Sequence, residues 1–207
     1  MPGCCHHRPY RHPSVTESAA RSRLYAGCIT CLNLSFARLT CRLRRLSGRV
    51  VRNALSRQAL PVLDRTKYAA AEGMARGAFI LADTDKGDPN VILIGTGSEV
   101  QLCVKVHEQL QAKGISSRVV SMPSWDLFEK QELSYRETVL PPRIRARVAV
   151  EQGSVIGWDR YAGSTGAIIG MHTFGSSAPL KDLLTKFGFT PEKVMQAAMH
   201  QIEQNTR

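Results

Sequence analysis

Short apolar runs recur along the chain from about residue 77, and turn-forming residues separate them. The run at 91–95 (VILIG) has no polar interruption, which is typical of a strand covered on both faces. The run at 77–82 (GAFILA) is rich in strand-forming residues and ends in the turn-rich stretch 83–90. In all, the pattern predicts strands at 77–82, 91–95, 117–122, 146–150 and 167–171.

Stretches with helical spacing of apolar residues follow these runs. The first predicted helix opens with Ser98 as its N-cap and stops at Gly114. A second follows the stretch 123–126 and runs through Leu140, where two prolines end it. Further helices are predicted near 158–162 and at 179–187 and 191–204, the last two each beginning at a proline.

Strand–helix alternation at this spacing predicts an α/β fold, namely a three-layer αβα sandwich around a mainly parallel five-stranded sheet. No helix separates the run at 77–82 from the next strand, so we expect that first strand to be antiparallel at an edge. The sequence contains no run of about 18 apolar residues, which argues against a transmembrane helix.

Composition divides the chain near residue 50. Residues 1–50 hold nine arginines, no lysine and one acid, Glu17, for a net charge of +8, whereas the other 157 residues carry only +3. Five of the six cysteines lie in the same first segment. Because its apolar residues have no sustained period, we expect residues 1–53 to be a basic, Cys/Arg-rich and disordered segment.

Four interpretations of that segment stay open. Its arginine-rich, acid-poor composition resembles an organellar transit peptide. Cys28 and Cys31 have the CxxC spacing of zinc and redox sites, but no second ligand pair or strand–helix context accompanies them. The basic stretch 38–52 has the charge to contact nucleic acid, yet it lacks interleaved aromatic residues, which favours a solvated tail. An out-of-frame coding start would produce the same composition and fits it best.

The glycine-containing turn at 95–100 (GTGSEV) stands between a strand and a helix, where phosphate-binding turns occur. Val100 replaces the third glycine of the dinucleotide-binding pattern, and Glu99 would repel an anion. No acid follows a second strand at the spacing that a ribose hydroxyl requires. We therefore favour a tight turn over a nucleotide site.

Two polar residues follow predicted strands at their carboxyl ends, where open α/β sheets hold their ligands. These are Glu151 and His172, which a parallel sheet would bring near each other. Without a nucleophile beside them, we favour a turn-capping or subunit-contact role over catalysis.

His107 falls within a predicted helix and is expected to be a packed or surface histidine. No GxSxG, P-loop, HExxH or paired-carboxylate motif is present in the sequence, so the residues alone indicate an α/β domain without a self-contained catalytic site.

From residue 54 onward the order of motifs resembles the C-terminal portion of transketolase. The matching blocks span about 150 residues, and a shared fold alone would not produce them in this order. They are ALSRQ at 54–58, ARGA at 75–78, GTGSEV at 95–100, RVVSMPS at 118–124, YRETVLP at 135–141, ARVAVE at 146–151, GWDRY at 157–161, GAIIGM at 166–171, TFG at 173–175, SAP at 177–179 and FGFT at 187–190.

The resemblance implies a thiamine-diphosphate enzyme of the pentose phosphate pathway that moves a two-carbon ketol unit between sugar phosphates. It also implies that residues 54–76 are the end of the pyrimidine-binding domain with its linker and that 77–207 are the C-terminal domain. In the family the other two domains hold thiamine diphosphate and Mg²⁺ through a GDG…N motif, which this sequence lacks. One family site residue carries over: Arg57, in the Ser-Arg-Gln motif, corresponds to the arginine that binds the substrate's phosphate.

The sequence therefore predicts the C-terminal part of a transketolase that is inactive alone and binds no cofactor or metal itself. We expect a homodimer or an association with a chain that carries the cofactor-binding domains, and sugar phosphate binding only in a complete enzyme. The alternatives are a non-catalytic subunit of a split transketolase and a nucleic-acid-binding protein acting through its basic tail, of which nucleic-acid binding is disfavoured. We expect no membrane association and a cytoplasmic location, or import into an organelle if the first segment is a transit peptide.

Overall fold

A computed structural model of the 207-residue chain describes residues 24–26, 51–53, 59–85 and 87–206. Two short strands near the N-terminus, β1 (Leu24–Ala26) and β2 (Val51–Asn53), pair in parallel. The rest of the segment 1–53 lies outside the described residues, and its predicted disorder stays a prediction.

The main sheet has five strands, as the alternation predicts. Its order is β3-β5-β4-β6-β7, and every neighbouring pair is parallel except β3 with β5. The antiparallel strand lies at an edge, which confirms the expected mixed sheet. The strands are β3 (Phe79–Ala82), β4 (Val91–Gly95), β5 (Ser117–Ser121), β6 (Arg147–Ser154) and β7 (Ala167–Met171).

Helices cover both faces of this sheet. One core joins α1 and α6 to one face, and a second core joins α2, α3 and α4 to the other. Two 3₁₀ turns, Ala71–Arg76 and Gly97–Glu99, precede β3 and α1. The helices are α1 (Val100–Ala112), α2 (Trp125–Glu129), α3 (Leu133–Val139), α4 (Asp159–Ala162), α5 (Leu180–Phe187) and α6 (Pro191–Asn205).

Strand β4 contributes side chains to both cores, because successive side chains of a strand point to opposite faces. Val91 and Leu93 lie in the core beneath α1 and α6, whereas Ile92 and Ile94 lie in the core beneath the other helices. All four side chains are completely buried. This arrangement explains why the run has no polar interruption.

Three local predictions are wrong. The helix expected to run through Leu140 is broken into α2 and α3, and the Gln131 side chain donates a hydrogen bond of 2.8 Å to the Leu127 carbonyl at the break. Strand β6 continues to Ser154 because, after an irregularity in the register, that residue pairs with Met171 of β7. Ser98 does not cap α1, since its hydroxyl donates to the adjacent Glu99 carboxylate instead.

A partly buried ion pair ties the edge strand to the rest of the sheet. The Arg118 guanidinium on β5 donates to both carboxylate oxygens of Asp83, at 3.0 and 2.7 Å, just after β3. The same side chain donates to the carbonyl of Thr138 in α3 at 2.7 Å. Bidentate pairing of this kind is strong and directional, so Arg118 holds three separate elements in register.

Among the described residues, no helix combines the length and hydropathy needed to cross a membrane.

We expect Gly77→Ala to lower the free energy of unfolding by about 2–4 kcal/mol, through backbone strain and overpacking. Gly77 has φ +85°, and a Cβ there would overlap the backbone nitrogen of Phe128 and the carbonyl oxygen of Ser124. Gly87 is the matched control, because it has φ +87° but no atom within 4 Å of an added Cβ. Urea denaturation followed by circular dichroism should give a loss of only about 1 kcal/mol for Gly87→Ala. Equal losses in the two variants would contradict the close packing at Gly77.

Candidate functional site

A crevice opens at the carboxyl ends of β4, β5 and β6. The chain leaves β4 toward β5 on one side and later returns to β6 on the other, so the strand order reverses at this point. In open α/β sheets ligands bind at such a reversal. Thr96, the stretch from Pro123 to Asp126, and Glu151 are among the residues that line a cavity of about 430 Å³ here. This edge of the sheet is the candidate functional site that fold geometry indicates.

Two glycines, Gly95 and Gly97, form the tight connection between the end of β4 and α1. A Cβ on Gly95 would lie 3.0 Å from the Cys103 sulfur and 3.1 Å from the Val100 Cα, so a larger residue would push the helix away from the strand. Gly97 has φ +56° and begins the 3₁₀ turn that leads into α1. The turn therefore has the tight strand-to-helix geometry that the sequence favoured.

The interior of this turn is occupied by the protein's own carboxylate. Glu99 is only 3% exposed. Its side chain accepts hydrogen bonds from the Ser98 hydroxyl and from the backbone N–H of Gln152 on β6. A phosphate at this turn would meet that buried carboxylate and would compete for the same donors. The geometry argues against an anion here and supports a tight turn rather than a nucleotide site.

Glu99 and Glu151 form a pair of partly or fully buried carboxyl groups, because the adjacent strands β4 and β6 end side by side. Burial raises the pKa of Glu99. Burial, and then the negative charge of Glu99, raise the pKa of Glu151 to about 7, although a hydrogen bond from the Gly153 N–H opposes this. The Glu151 carboxyl, which lies at the wall of the crevice, therefore changes its protonation state near neutral pH.

Glu151 and His172 were predicted to lie near each other. In the described part of the chain no hydrogen bond or ion pair joins their side chains. The ladder pairs Ser154 with Met171, so His172 follows a position opposite the far end of β6, and its side chain is exposed. The negative charge of Glu99 acts on Glu151 instead and raises its pKa. His107, which was expected to be either packed or on the surface, is buried. Its Nδ1 atom lies 2.8 Å from the Ser117 hydroxyl oxygen.

Aromatic side chains that sequence reasoning did not single out form one wall of the crevice. The rings of Trp125 and Trp158 meet edge to face with centroids 5.1 Å apart, and Tyr161 packs against both. The Tyr161 hydroxyl donates to Glu129 at 2.9 Å, which anchors the cluster to α2. Trp125 follows the predicted end of β5, so proximity to strand ends was the available signal for this wall.

Several candidate residues cannot be placed. Arg57, expected from the family resemblance to bind a substrate phosphate, lies outside the described residues, as do Cys28 and Cys31. Within residues 59–85 and 87–206, no three or more histidine, cysteine or acidic side chains are grouped so as to hold a metal ion.

Comparison with known proteins identifies what this domain is similar to. A family model described as the transketolase-like C-terminal domain matches residues 77–190. The chain is 49% identical to transketolase of Aquifex aeolicus over 140 residues, which is 68% of this chain and 20% of that protein. It is 51% identical to transketolase 1 of Escherichia coli over 144 residues, which is 70% of this chain and 21% of that protein. The chain thus spans about a fifth of the length of the curated relatives it matches.

Solved structures agree with this likeness. Transketolase from Leishmania mexicana superposes with a TM-score of 0.73 and 30% identity, over 88% of this chain and 26% of that one. A split gene transketolase, described as an inactive beta4 tetramer, superposes with a TM-score of 0.55 over 77% of this chain and 53% of that one. Its identity is only 19%, so this second likeness shows a common fold alone.

We expect Glu151→Gln to change the pH dependence of stability. With a pKa raised to about 7, the protonated Glu151 carboxyl stabilises the folded state below pH about 4.5, and this contribution is lost as the pH rises through 7. Relative to the unmodified chain, the variant should gain about 1–2 kcal/mol in free energy of unfolding between pH 4.5 and 8, since water reaches part of this group.

The measurement is urea denaturation across this pH range. Asp126→Asn is the matched control, because Asp126 lines the same crevice but is exposed. A variant Glu151→Gln with the same pH profile as the unmodified chain would contradict the raised pKa.

Proposed function

The chain belongs to the transketolase family, and we propose that residues 77–207 act as the C-terminal domain of an enzyme that transfers a two-carbon ketol unit between sugar phosphates. The observation that carries this proposal is the match of residues 77–190 to the family's C-terminal domain. That range begins two residues before β3 and includes every strand of the five-stranded sheet. The matched region therefore contains the whole sheet and every helix of the described unit except α6, which follows it directly.

We propose that this domain does not perform ketol transfer on its own. In the family, thiamine diphosphate and a divalent metal supply the reactive centre, which stabilises the two-carbon unit during its transfer. The described residues do not fit these groups. They include no metal-binding group of side chains, and the Glu99 carboxylate occupies the interior of the glycine turn at 95–100, where a diphosphate would have to bind. No step of the reaction is therefore assigned to them.

The domain's proposed contribution is structural, through a surface at the carboxyl edge of the sheet. Ile156, which follows β6, and Phe174, which follows β7, are 83% and 99% exposed. Both residues follow the carboxyl ends of neighbouring parallel strands, and a group of large apolar side chains exposed at one edge is typical of an interaction surface. Strand β7 is also an edge strand whose outer side has no partner within the five-stranded sheet. We propose that the cofactor-binding domains, or a second copy of the chain, cover this edge.

A non-catalytic subunit of a split transketolase remains the alternative within the same family. Such a subunit would dock on a separate chain that holds the cofactor. The fold likeness to a split gene transketolase is compatible with it. Arg57 as a phosphate ligand, a cytoplasmic or organellar location, and nucleic-acid binding through residues 1–53 stay predictions of the sequence, since their residues lie almost wholly outside the described part of the chain.

A domain exchange tests the proposal. We expect E. coli transketolase 1 to keep most of its ketol transfer when its C-terminal domain is replaced by residues 77–207, because about half of the aligned residues are identical. The purified 207-residue chain, given xylulose 5-phosphate, ribose 5-phosphate, thiamine diphosphate and Mg²⁺, should show no turnover.

The control is the E. coli enzyme without its C-terminal domain. Turnover by the isolated chain would refute the proposed dependence on other domains. A folded exchange protein with no more activity than the truncated control would refute the proposed equivalence of the two domains.

A further inference from the structure

A second cavity, of about 550 Å³, lies at the opposite edge of the sheet. It is bounded by the segment that leads into β6 and by the loop between α4 and β7. It therefore sits at the amino ends of these strands, away from the crevice with the two glutamates. Its charged lining residues are Arg145 and Arg147, and no aspartate or glutamate lines it.

Arg147 places a cation without a counter-ion in the wall of this cavity. Its guanidinium donates to the carbonyls of Ile144 at 2.8 Å, Tyr161 at 2.7 Å and Pro141 at 2.8 Å. These carbonyls satisfy donors but carry no net charge. No carboxylate of the described residues forms an ion pair with it, and burial lowers the pKa of Arg147. A half-buried charge of this kind is stabilised by an opposite charge nearby.

Three other arginines around the described sheet each pair with an acid. Arg118 pairs with Asp83, Arg136 with Glu129 and Arg143 with Asp88. Each of these side chains is already neutralised by an acid of the same domain. Arg147 differs from these three arginines because it is partly buried and has no acidic partner among the described residues.

Further hydrogen-bond donors face the same space without protein acceptors. The Arg145 side chain is exposed and makes no ion pair within the described residues. Ser164 and Thr165 are exposed on the loop, and no acceptor in the described part of the chain takes their hydroxyl or backbone N–H groups. Gly163, at φ +85°, sets the direction of this loop.

We infer that this cavity binds a phosphate group, either inorganic phosphate or the phosphate of a small monoester. Arg145 supplies a free guanidinium fork, Ser164 and Thr165 supply hydroxyl and N–H donors, and Arg147 supplies a fixed charge behind them. Planar guanidinium groups match phosphate oxygens two at a time, and backbone N–H groups in a turn commonly complete such sites. A cavity of about 550 Å³ has the size of small-molecule sites and leaves room beside a phosphate for the rest of a monoester.

Calorimetric titration of the full 207-residue chain with inorganic phosphate and with glycerol 3-phosphate, at constant ionic strength, tests this inference. We expect saturable binding of at least one of them, weakened about tenfold or more by Arg145→Gln, since charge-assisted hydrogen bonds are lost. In a parallel NMR titration with the same ligands, the backbone amide signals of Ser164 and Thr165 should shift. Tighter binding of glycerol 3-phosphate would identify a monoester, and tighter binding of phosphate would identify the free anion.

Arg143→Gln is the matched control. It removes the same charge two residues away, but Arg143 pairs with Asp88 and does not line the cavity. This variant should bind phosphate within about twofold of the unmodified chain. Equal weakening by both substitutions would overturn the site in favour of general attraction to a basic protein. No saturable binding of either probe, or acetate binding as tightly as phosphate, would overturn the proposed ligand class.

Discussion

The burial of β4 on both faces is the constraint on which the rest of the structure depends. Four consecutive side chains of this strand are completely removed from water, and burial of each stabilises the fold by about 1.5–3 kcal/mol as an upper estimate. That burial requires a layer of helices on each side and a paired strand at each edge. Parallel β5 and β6 supply the edges, because helical crossovers return the chain in the same direction.

The central position of β4 also determines where polar chemistry is found. Its carboxyl end meets that of β6, so the turn after one strand and the last residues of the other share a small space. Glu99 bridges the two by accepting the Gln152 N–H, and its charge acts on Glu151. The carboxyl edge is thereby acidic inside, while the cavity at the amino edge is lined by Arg145 and Arg147 without an acid. The two ends of one sheet therefore differ in their ionisable groups, which are carboxyls at one end and guanidiniums at the other.

Membership of the transketolase family is compatible with the supporting role that we propose for this domain. Its two packed cores and the ion pair that holds its edge strand would give such a role a rigid scaffold. Exposed Ile156 and Phe174 lie at the acidic edge, where a neighbouring domain would cover them. The proposed phosphate cavity lies at the other end, so ligand binding there and domain association need not compete for the same surface.

The strands, their order of appearance, the antiparallel edge and the family resemblance were all accessible from the sequence, because local apolar periodicity and ordered motifs carry that information. The break between α2 and α3, the extension of β6 to Ser154, and the pairing of Glu99 with Gln152 were not. Each depends on contacts between segments far apart in the chain, which local patterns do not encode. By itself the sequence determined an α/β transketolase-type domain. Only the tertiary structure decided which carboxylates share one edge and that the partly buried Arg147 has no acidic partner among the described residues, because strand register and helix packing determine which groups come together.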